Sequence, residues 1–483
     1  MHYIFFRAAL YFLCINSIYS SGYNGLILYS NSQGVGTSYT YLMNNGYSYV
    51  NIWNHSSGVV GIPHLNPDRS VIVQTRSADH SFGNSHGPVG GIFQKLDWDG
   101  TIKWNYSFYS DTFHPHHDIE VLPNGNILVL GWEKKSLQQA QAVGRLNIIN
   151  EIWPLMIVEI QPIEPDSAVI IWEWQLWDHL IQDVDSNIIN YGQIYDHPEL
   201  IDINIGQFTN PKGGDWLHTN AIAYNQGLDQ IVFSSRHLDE IFIIDHSTTI
   251  EQAANHQGGN SNKGGDILYR WGNPINYGRG TNNDQMLNAQ HGVNWITSQM
   301  PGEGNLIIFN NNPTDTTGQD NTIGNSSVIE IITPLNNAGT YDIATDSAYG
   351  PSNYHWVYGA DSTFFSHFQS GAYRLENGNT FVTVSQEKYM FELNSQGNIV
   401  WEYDFENIQG HPGNTARAKK YELNYLETGI GDLTSDHLVN IYDLIKTINL
   451  IIEGQYHEKA DHNYDSEVNN LDLDILIDYI MSF

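Results

Sequence analysis

The chain has 483 residues, enough for one large domain and a small one. Glycine (43), tyrosine (29) and tryptophan (13) are plentiful and helical periodicity is scarce before the C-terminus, which favours an all-β body. With 20 Lys+Arg against 53 Asp+Glu, the net charge of −33 excludes nucleic acid and anionic membranes as natural partners and suits a soluble secreted protein.

Residues 1–20 carry Arg7, an apolar run at 8–15 and small residues near Ser20 and Ser21, the pattern of a signal peptide too short to anchor in a membrane. The single cysteine, Cys14, lies inside it, so the mature chain is expected to hold together without disulfides. No later segment is apolar enough to cross a bilayer. The expected setting is the periplasm, the cell surface or the medium.

From about residue 22 one unit recurs: an apolar strand, an Asn/Asp/Gly turn, then a strand ending in tryptophan. Residues 93–106, with Trp104 and Tyr106, are the clearest copy, and 391–403, with Trp401 and Tyr403, nearly superimpose on it. Weaker copies end at Trp53, Trp172, Trp271 and Trp356. A second kind of hairpin, built around Asn-Gly, recurs at 120–130 and 373–383. Two hairpins make a four-stranded sheet, and six tryptophan-ended hairpins predict a six-bladed β-propeller over residues 21–412. Uneven spacing of the copies predicts insertions at 179–214 and 252–265. The tryptophans are expected to pack the blades.

Residues 221–224 and 230–233 flank an Asn/Gly/Asp turn at 225–229, a further hairpin. His218, Thr219 and Asn220 precede its first strand; Ser234, Ser235, Arg236 and His237 follow its second. A hairpin brings its outer ends together, so imidazole, hydroxyl, amide and guanidinium meet at one sheet edge. That set suits a tetrahedral oxyanion, because arginine offers a fixed fork of donors. A polar hairpin rim is the plainer alternative. His237 is expected on the opposite face from Arg236.

The strand pattern stops near residue 413. Arg417, Lys419 and Lys420 give 413–428 the look of a polar linker, and after it the periodicity becomes helical. Two segments, 432–443 and 461–472, then place oxygen side chains at positions 1, 3, 5, 9 and 12 of a calcium loop. These are Asp432, Thr434, Asp436, Asn440 and Asp443, then Asp461, Asn463, Asp465, Asn469 and Asp472. His437 and Ser466 replace the usual glycine at position 6. Each loop runs into one apolar helix. Over 429–483 the duplicated spacing resembles a type I dockerin, which implies about two bound Ca2+ ions and a cohesin-type scaffold partner.

Histidines stand before several inner strands: His114, His116 and His117 before Asn124-Gly125, His218 before 221–233, His291 before 293–296, and His367 before 372–383. In a propeller these positions converge on the central channel. Here the chain resembles the bacterial arylsulfate sulfotransferases, six-bladed propellers that do not use the nucleotide sulfate donor. The matching segments are 113–125, the Trp172, Trp174 and Trp177 run, Asp215-Trp-Leu-His218-Thr-Asn220, Ser234-Ser-Arg236-His237 and Ala289-Gln290-His291. The resemblance implies His291 as a nucleophile that becomes transiently sulfated, and His218, Asn220 and Arg236 as sulfate-holding groups. It implies His117 as the remaining active-site histidine, seven residues before the Asn124-Gly125 turn. Thr219 and His116 are neighbouring candidates for substrate contact. The C-terminal module and the lack of a disulfide depart from the characterised relatives and leave the cellular setting and acceptor open.

The implied reaction passes a sulfuryl group from a phenolic sulfate to a phenol by a ping-pong route that needs no cofactor. Phe113, Trp295, Phe365 and Phe368 are candidates either to stack the phenol or to pack the core. A histidine-bound metal is one rival, which Arg236 opposes by charge, with Asp118 the lone carboxylate in fixed pattern. A glycan-binding or polysaccharide-active propeller delivered by its dockerin is another. Glycoside hydrolysis needs two facing carboxylates, and no such pair is found on equivalent strand ends.

Overall fold

The computed structural model describes residues 22–32, 36–78, 82, 88–206, 214–312, 324–360, 364–405, 414–426, 431–434, 439–462 and 467–481. The expected signal peptide, and the calcium-loop residues Asp436, Asn463 and Asp465, lie outside them.

The recurring unit folds as the turn chemistry demands. Leu122 N donates to Asn126 O (2.8 Å) and Gly125 N to Leu122 O (2.9 Å), and Leu375, Gly378 and Asn379 repeat the pattern. Gly125 and Gly378 sit at φ +85°, the left-handed value that glycine takes without steric cost. Six four-stranded antiparallel sheets result, as the sequence predicts. Their innermost strands are Asn414–Glu422, Val59–Leu65, Phe113–Val121, Thr219–Asn225, His291–Trp295 and Gly371–Arg374, for blades 1 to 6. Each packs beside the next and the sixth beside the first, which closes a ring around a channel.

Middle strands such as Gln230–Ser235 and Glu240–Asp245 are buried at every residue, because each blade is covered on both faces by its neighbours. The six repeat tryptophans occupy the outermost strands. Five join blade to blade: the indole N–H of Trp53 donates to Asp97 O, Trp104 to Ser167 O, Trp172 to Thr248 Oγ1, Trp271 to Pro351 O and Trp401 to Asn45 O. Trp356, half-buried, is capped instead by the guanidinium of Arg374 at 5.3 Å.

Residues 414–422, expected within a linker, form the innermost strand of blade 1. They pair antiparallel with Gly25–Ser32, so the two ends of the propeller sequence share one sheet. The stretch looks solvated in sequence because its cations are conspicuous and their partners are distant. Lys420 pairs with the buried Glu392 (2.7 Å), and Arg417 with the buried Asp118. The helices Ile441–Glu453 and Asn470–Met481 follow. The second lies against the propeller: Tyr479 joins the core cluster of Leu26, Leu28 and Trp53, and Asn24 Nδ2 donates to Ile475 O (2.6 Å).

Candidate active site

The innermost strands lose regular pairing near one end of the channel. Register shifts fall between Val60 and His64, Pro115 and Ile119, Thr219 and Ala221, and His291 and Asn294. The backbone is left-handed at the same places: Gly61 (φ +74°), His117 (+56°), His218 (+50°) and Gly292 (+66°). Bulges re-aim side chains, and a non-glycine residue held in this region costs about 1–3 kcal/mol. That strain falls on His117 and His218, and it turns both rings inward. Gly61 admits the close approach, since a Cβ there would lie 2.3 Å from the His117 carbonyl oxygen.

The histidines form a row. Asp215 Oδ2 is 2.5 Å from His218 Nδ1, His218 Nε2 is 3.2 Å from His117 Nε2, and His117 Nδ1 is 2.8 Å from His116 Nδ1. Asp215 Oδ1 accepts from Trp132 Nε1 (3.0 Å) and from His218 N (3.2 Å), which fixes the carboxylate. One set of neutral tautomers satisfies every link: His116 donates to His117, His117 to His218, and His218 to Asp215. Burial holds both His117 and His218 well below the ordinary imidazole value. His116 is pushed down to about 3, chiefly by burial, and stacks on Trp132 at 4.2 Å behind His117.

His291 comes from blade 5. Its Nδ1 faces two acceptors, Asn311 Oδ1 at 2.8 Å and Ala289 O at 3.1 Å. Asn311 Nδ2 donates to Ser366 O and Gln369 O, so its oxygen is the atom turned to the ring. Nδ1 therefore carries the proton and Nε2 keeps its lone pair. Burial first, then the positive charge of Arg236, pushes His291 down to about 3. His291, His117 and Asn220 line a cavity of about 30 Å³ together with Gln369, Ser370 and Arg417. Asn220 Nδ2 donates to Gln290 O (2.8 Å), tying blade 4 to blade 5, while its buried Oδ1 has no partner among the described residues.

Arg236 follows the hairpin strand and is half-buried, and its backbone N–H donates to His218 O (3.2 Å). Its guanidinium has no ion pair among the described residues, and its charge lowers both His218 and His291. His237 does not take the opposite face. The strand ends at Ser235, alternation ends with it, and the His237 ring stacks on His218 at 4.8 Å. Thr219 is buried on the strand and absent from the cavity lining. His114 turns to Ser77 and Tyr109, away from the row. Phe113 and Trp295 pack in the cores, whereas Phe365 and Phe368 are half-buried and absent from the cavity lining.

Three supporting residues escaped sequence reasoning. Asp215 supplies the carboxylate that the histidine pattern lacked, and its place three residues before His218 was the available signal. With His218 and His237 it lies within metal-ligand distance, but the adjacent Arg236 opposes a cation. Asn311 and Arg417 had no local signal, because both act across blades.

In the C-terminal region Asp432, Asp443, Asp461 and Asp472 are all buried, at 0–5% exposure. Asp443 Oδ1 accepts from Thr434 N and Oγ1, and Oδ2 from Asn440 N. Asp472 repeats this with His462 N and Asn469 N. Four buried carboxylates with hard-oxygen neighbours fit Ca2+.

Among solved structures, a protein of unknown function from Bacteroides caccae is similar to this chain at 10% identity and TM-score 0.43, covering 82% of this chain and 98% of that one. Virginiamycin B lyase from Staphylococcus aureus is similar at 12% identity and TM-score 0.33, with coverages of 82% and 88%. The periplasmic gluconolactonase of Pseudomonas aeruginosa is similar at 11% identity and TM-score 0.37, with coverages of 80% and 84%. No curated protein matches the chain. The family model described as Arylsulfotransferase (ASST) matches residues 90–390, most of the propeller and more than half of the sequence. The chain belongs to the arylsulfotransferase family of sulfotransferases.

Proposed function

We propose that the protein transfers a sulfuryl group from a phenolic sulfate ester to a second phenol through a sulfohistidine at His291. The observation that carries this reading is the fixed tautomer of His291, whose Nδ1 faces Asn311 Oδ1 at 2.8 Å and leaves Nε2 as a lone-pair nucleophile.

In the first half-reaction Nε2 attacks sulfur. The N–S bond forms as the S–O bond to the ring oxygen breaks, and the phenolate leaves with that electron pair. The sulfated ring is cationic, and the Asn311 and Ala289 oxygens on its Nδ1–H stabilise it. The His117–His218 pair, neutral at rest, takes up a proton from solvent when the anionic ester binds and passes it to the departing phenolate, which returns the pair to neutral. In the second half-reaction the acceptor phenol gives its proton to that pair and attacks sulfur; the S–O bond forms as the N–S bond breaks, the electron pair returns to Nε2, and His291 is neutral again. Arg236, and His218 through Nε2–H once the pair is protonated, hold the sulfuryl oxygens, a role worth about 3–4 kcal/mol per well-placed donor. Asn220 orients the ester, and Phe365 and Phe368, which join no core cluster, are the candidate rings to stack the phenol.

Incubation with 4-nitrophenyl sulfate, with and without phenol, tests the proposal. Phenol-dependent release of nitrophenolate supports transfer. Release without acceptor points to a sulfatase instead, and full activity in His291→Ala overturns the assignment.

We further propose that residues 1–20 direct export and that residues 429–483 form a type I dockerin-like module. Asp432, Thr434, Asp436, Asn440 and Asp443 would hold one Ca2+, and Asp461, Asn463, Asp465, Asn469 and Asp472 a second. Bound Ca2+ would neutralise the buried carboxylates and fix each loop against its helix. A cohesin-type scaffold is the partner this module suits. Calcium titration of the full chain, read by calorimetry, tests it; absence of binding overturns it.

A further inference from the structure

We propose that Arg417, on the strand that closes the ring, is a second guanidinium ligand for the sulfuryl group. The proposal rests on the transfer reading above and adds a residue to the same site.

Arg417 is buried, with 7% of its side chain exposed, yet it lines the cavity that His291, His117 and Asn220 line. A guanidinium carries five N–H donors. Nη2 is paired with Asp118 Oδ2. No other acceptor for this guanidinium is found among the described residues. Its remaining N–H groups keep some accessibility to the channel space that the residue lines. An oxyanion there would give them charge-assisted partners.

The direction of the side chain is fixed from three sides. A Cβ on Gly371 would stand 2.4 Å from Arg417 Cδ, and one on Gly292 would stand 3.2 Å away, so the stem runs through a groove made by two glycines. Gly292 is the residue after His291, so the stem of Arg417 passes against the strand that carries His291. On the far side Asp118 anchors Nη2 and also accepts from Ile222 N (3.3 Å), which ties the pair to blade 4. Blades 1, 3, 4, 5 and 6 thus converge on one cation. An ester sulfate presents three oxygens. Arg236 and His218 come from blade 4, and Arg417 offers its fork from blade 1.

The test uses the full chain, with inorganic sulfate as the binding probe and 4-nitrophenyl sulfate plus phenol for turnover. R417Q is expected to weaken sulfate binding at least tenfold and to lower kcat/KM about 100-fold. R417K, which keeps the charge and loses the fork, is expected to regain part of the sulfate affinity and little of kcat. Wild-type sulfate affinity and turnover in R417Q overturn the proposal. If R417Q does not fold, R417K decides: wild-type values for both overturn it. Should the unaltered protein bind sulfate through Arg417 yet fail to turn over the ester, the transfer reading fails and Arg417 stands as an anion ligand. Should turnover be sound and sulfate binding indifferent to Arg417, this proposal alone fails.

Discussion

Asn311 Oδ1 lies 2.8 Å from His291 Nδ1 and cannot turn away, because the amide nitrogen of the same side chain donates to Ser366 O and Gln369 O. One amide thus decides which imidazole nitrogen keeps its lone pair. Asn311→Ala releases that choice. We expect kcat to fall between about 10²- and 10⁴-fold with KM changed far less, by analogy with losing a tautomer-fixing partner. Steady-state kinetics of the purified variant check it.

Arg236 needs no carboxylate to sit where it does, so replacing it tests chemistry more than folding. Arg236→Gln is expected to lower kcat/KM about 10²- to 10³-fold while the unfolding midpoint stays near that of the wild type. It also removes a positive charge that depresses His291, whose value of about 3 owes most to burial and next to Arg236. The acid limb of the pH profile should therefore move upward. In the wild type that limb should lie far below pH 6.5. An acid limb near 6.5 in the unaltered protein would count against His291 as the nucleophile.

Buried neutral histidines also set acid stability. Burial lowers His55 to about 4, and His64 and His116 to about 3. Their folded values lie below the unfolded value of about 6.5, so the unfolded chain binds more protons at intermediate pH. The stability they contribute is complete above 6.5 and is lost as pH falls from 6.5 towards 3–4. Each can cost up to about 1.4 kcal/mol per pH unit in that window. Urea unfolding at pH 7, 5.5 and 4.5 should show a steep decline.

Trp104 donates its indole N–H to Ser167 O of the next blade at 2.7 Å. Trp104→Phe keeps most of the apolar contact and deletes the donor. A loss of about 1–2 kcal/mol is expected, measured by chemical denaturation, with kcat unchanged because the residue is on an outermost strand.

Asp443 and Asp472 are fully buried and hold the last position of the two proposed calcium loops. The double variant Asp443→Asn, Asp472→Asn should bind calcium at least tenfold more weakly than the wild type. It should also lose any calcium-dependent rise in the unfolding temperature.

The propeller was legible in the sequence because its signals are local. Tryptophan, Asn-Gly turns and strand alternation recur at short range, and all six repeat tryptophans occupy outermost strands. The hairpin at 215–237 was legible for the same reason, although its first strand runs one residue further than expected, so that Asn225 pairs with Gln230. His237 was misread because alternation was carried past Ser235, where the strand ends. Arg417 was misread because its meaning lies in Asp118, 299 residues earlier in the chain. Asn311 and Asp215 likewise show their roles only once separate blades meet.

The strand 414–422 has a consequence for biosynthesis. Its partner, Gly25–Ser32, is made long before it and waits with an open edge while the other five blades are added. Until residue 422 has been synthesised the clasp cannot fasten, and the cavity has no Arg417. A prematurely terminated product would combine an unpaired strand edge, open to proteases and to exchange between copies, with an unfinished anion pocket. Closure of the propeller ring and entry of Arg417 into the cavity are thus one event.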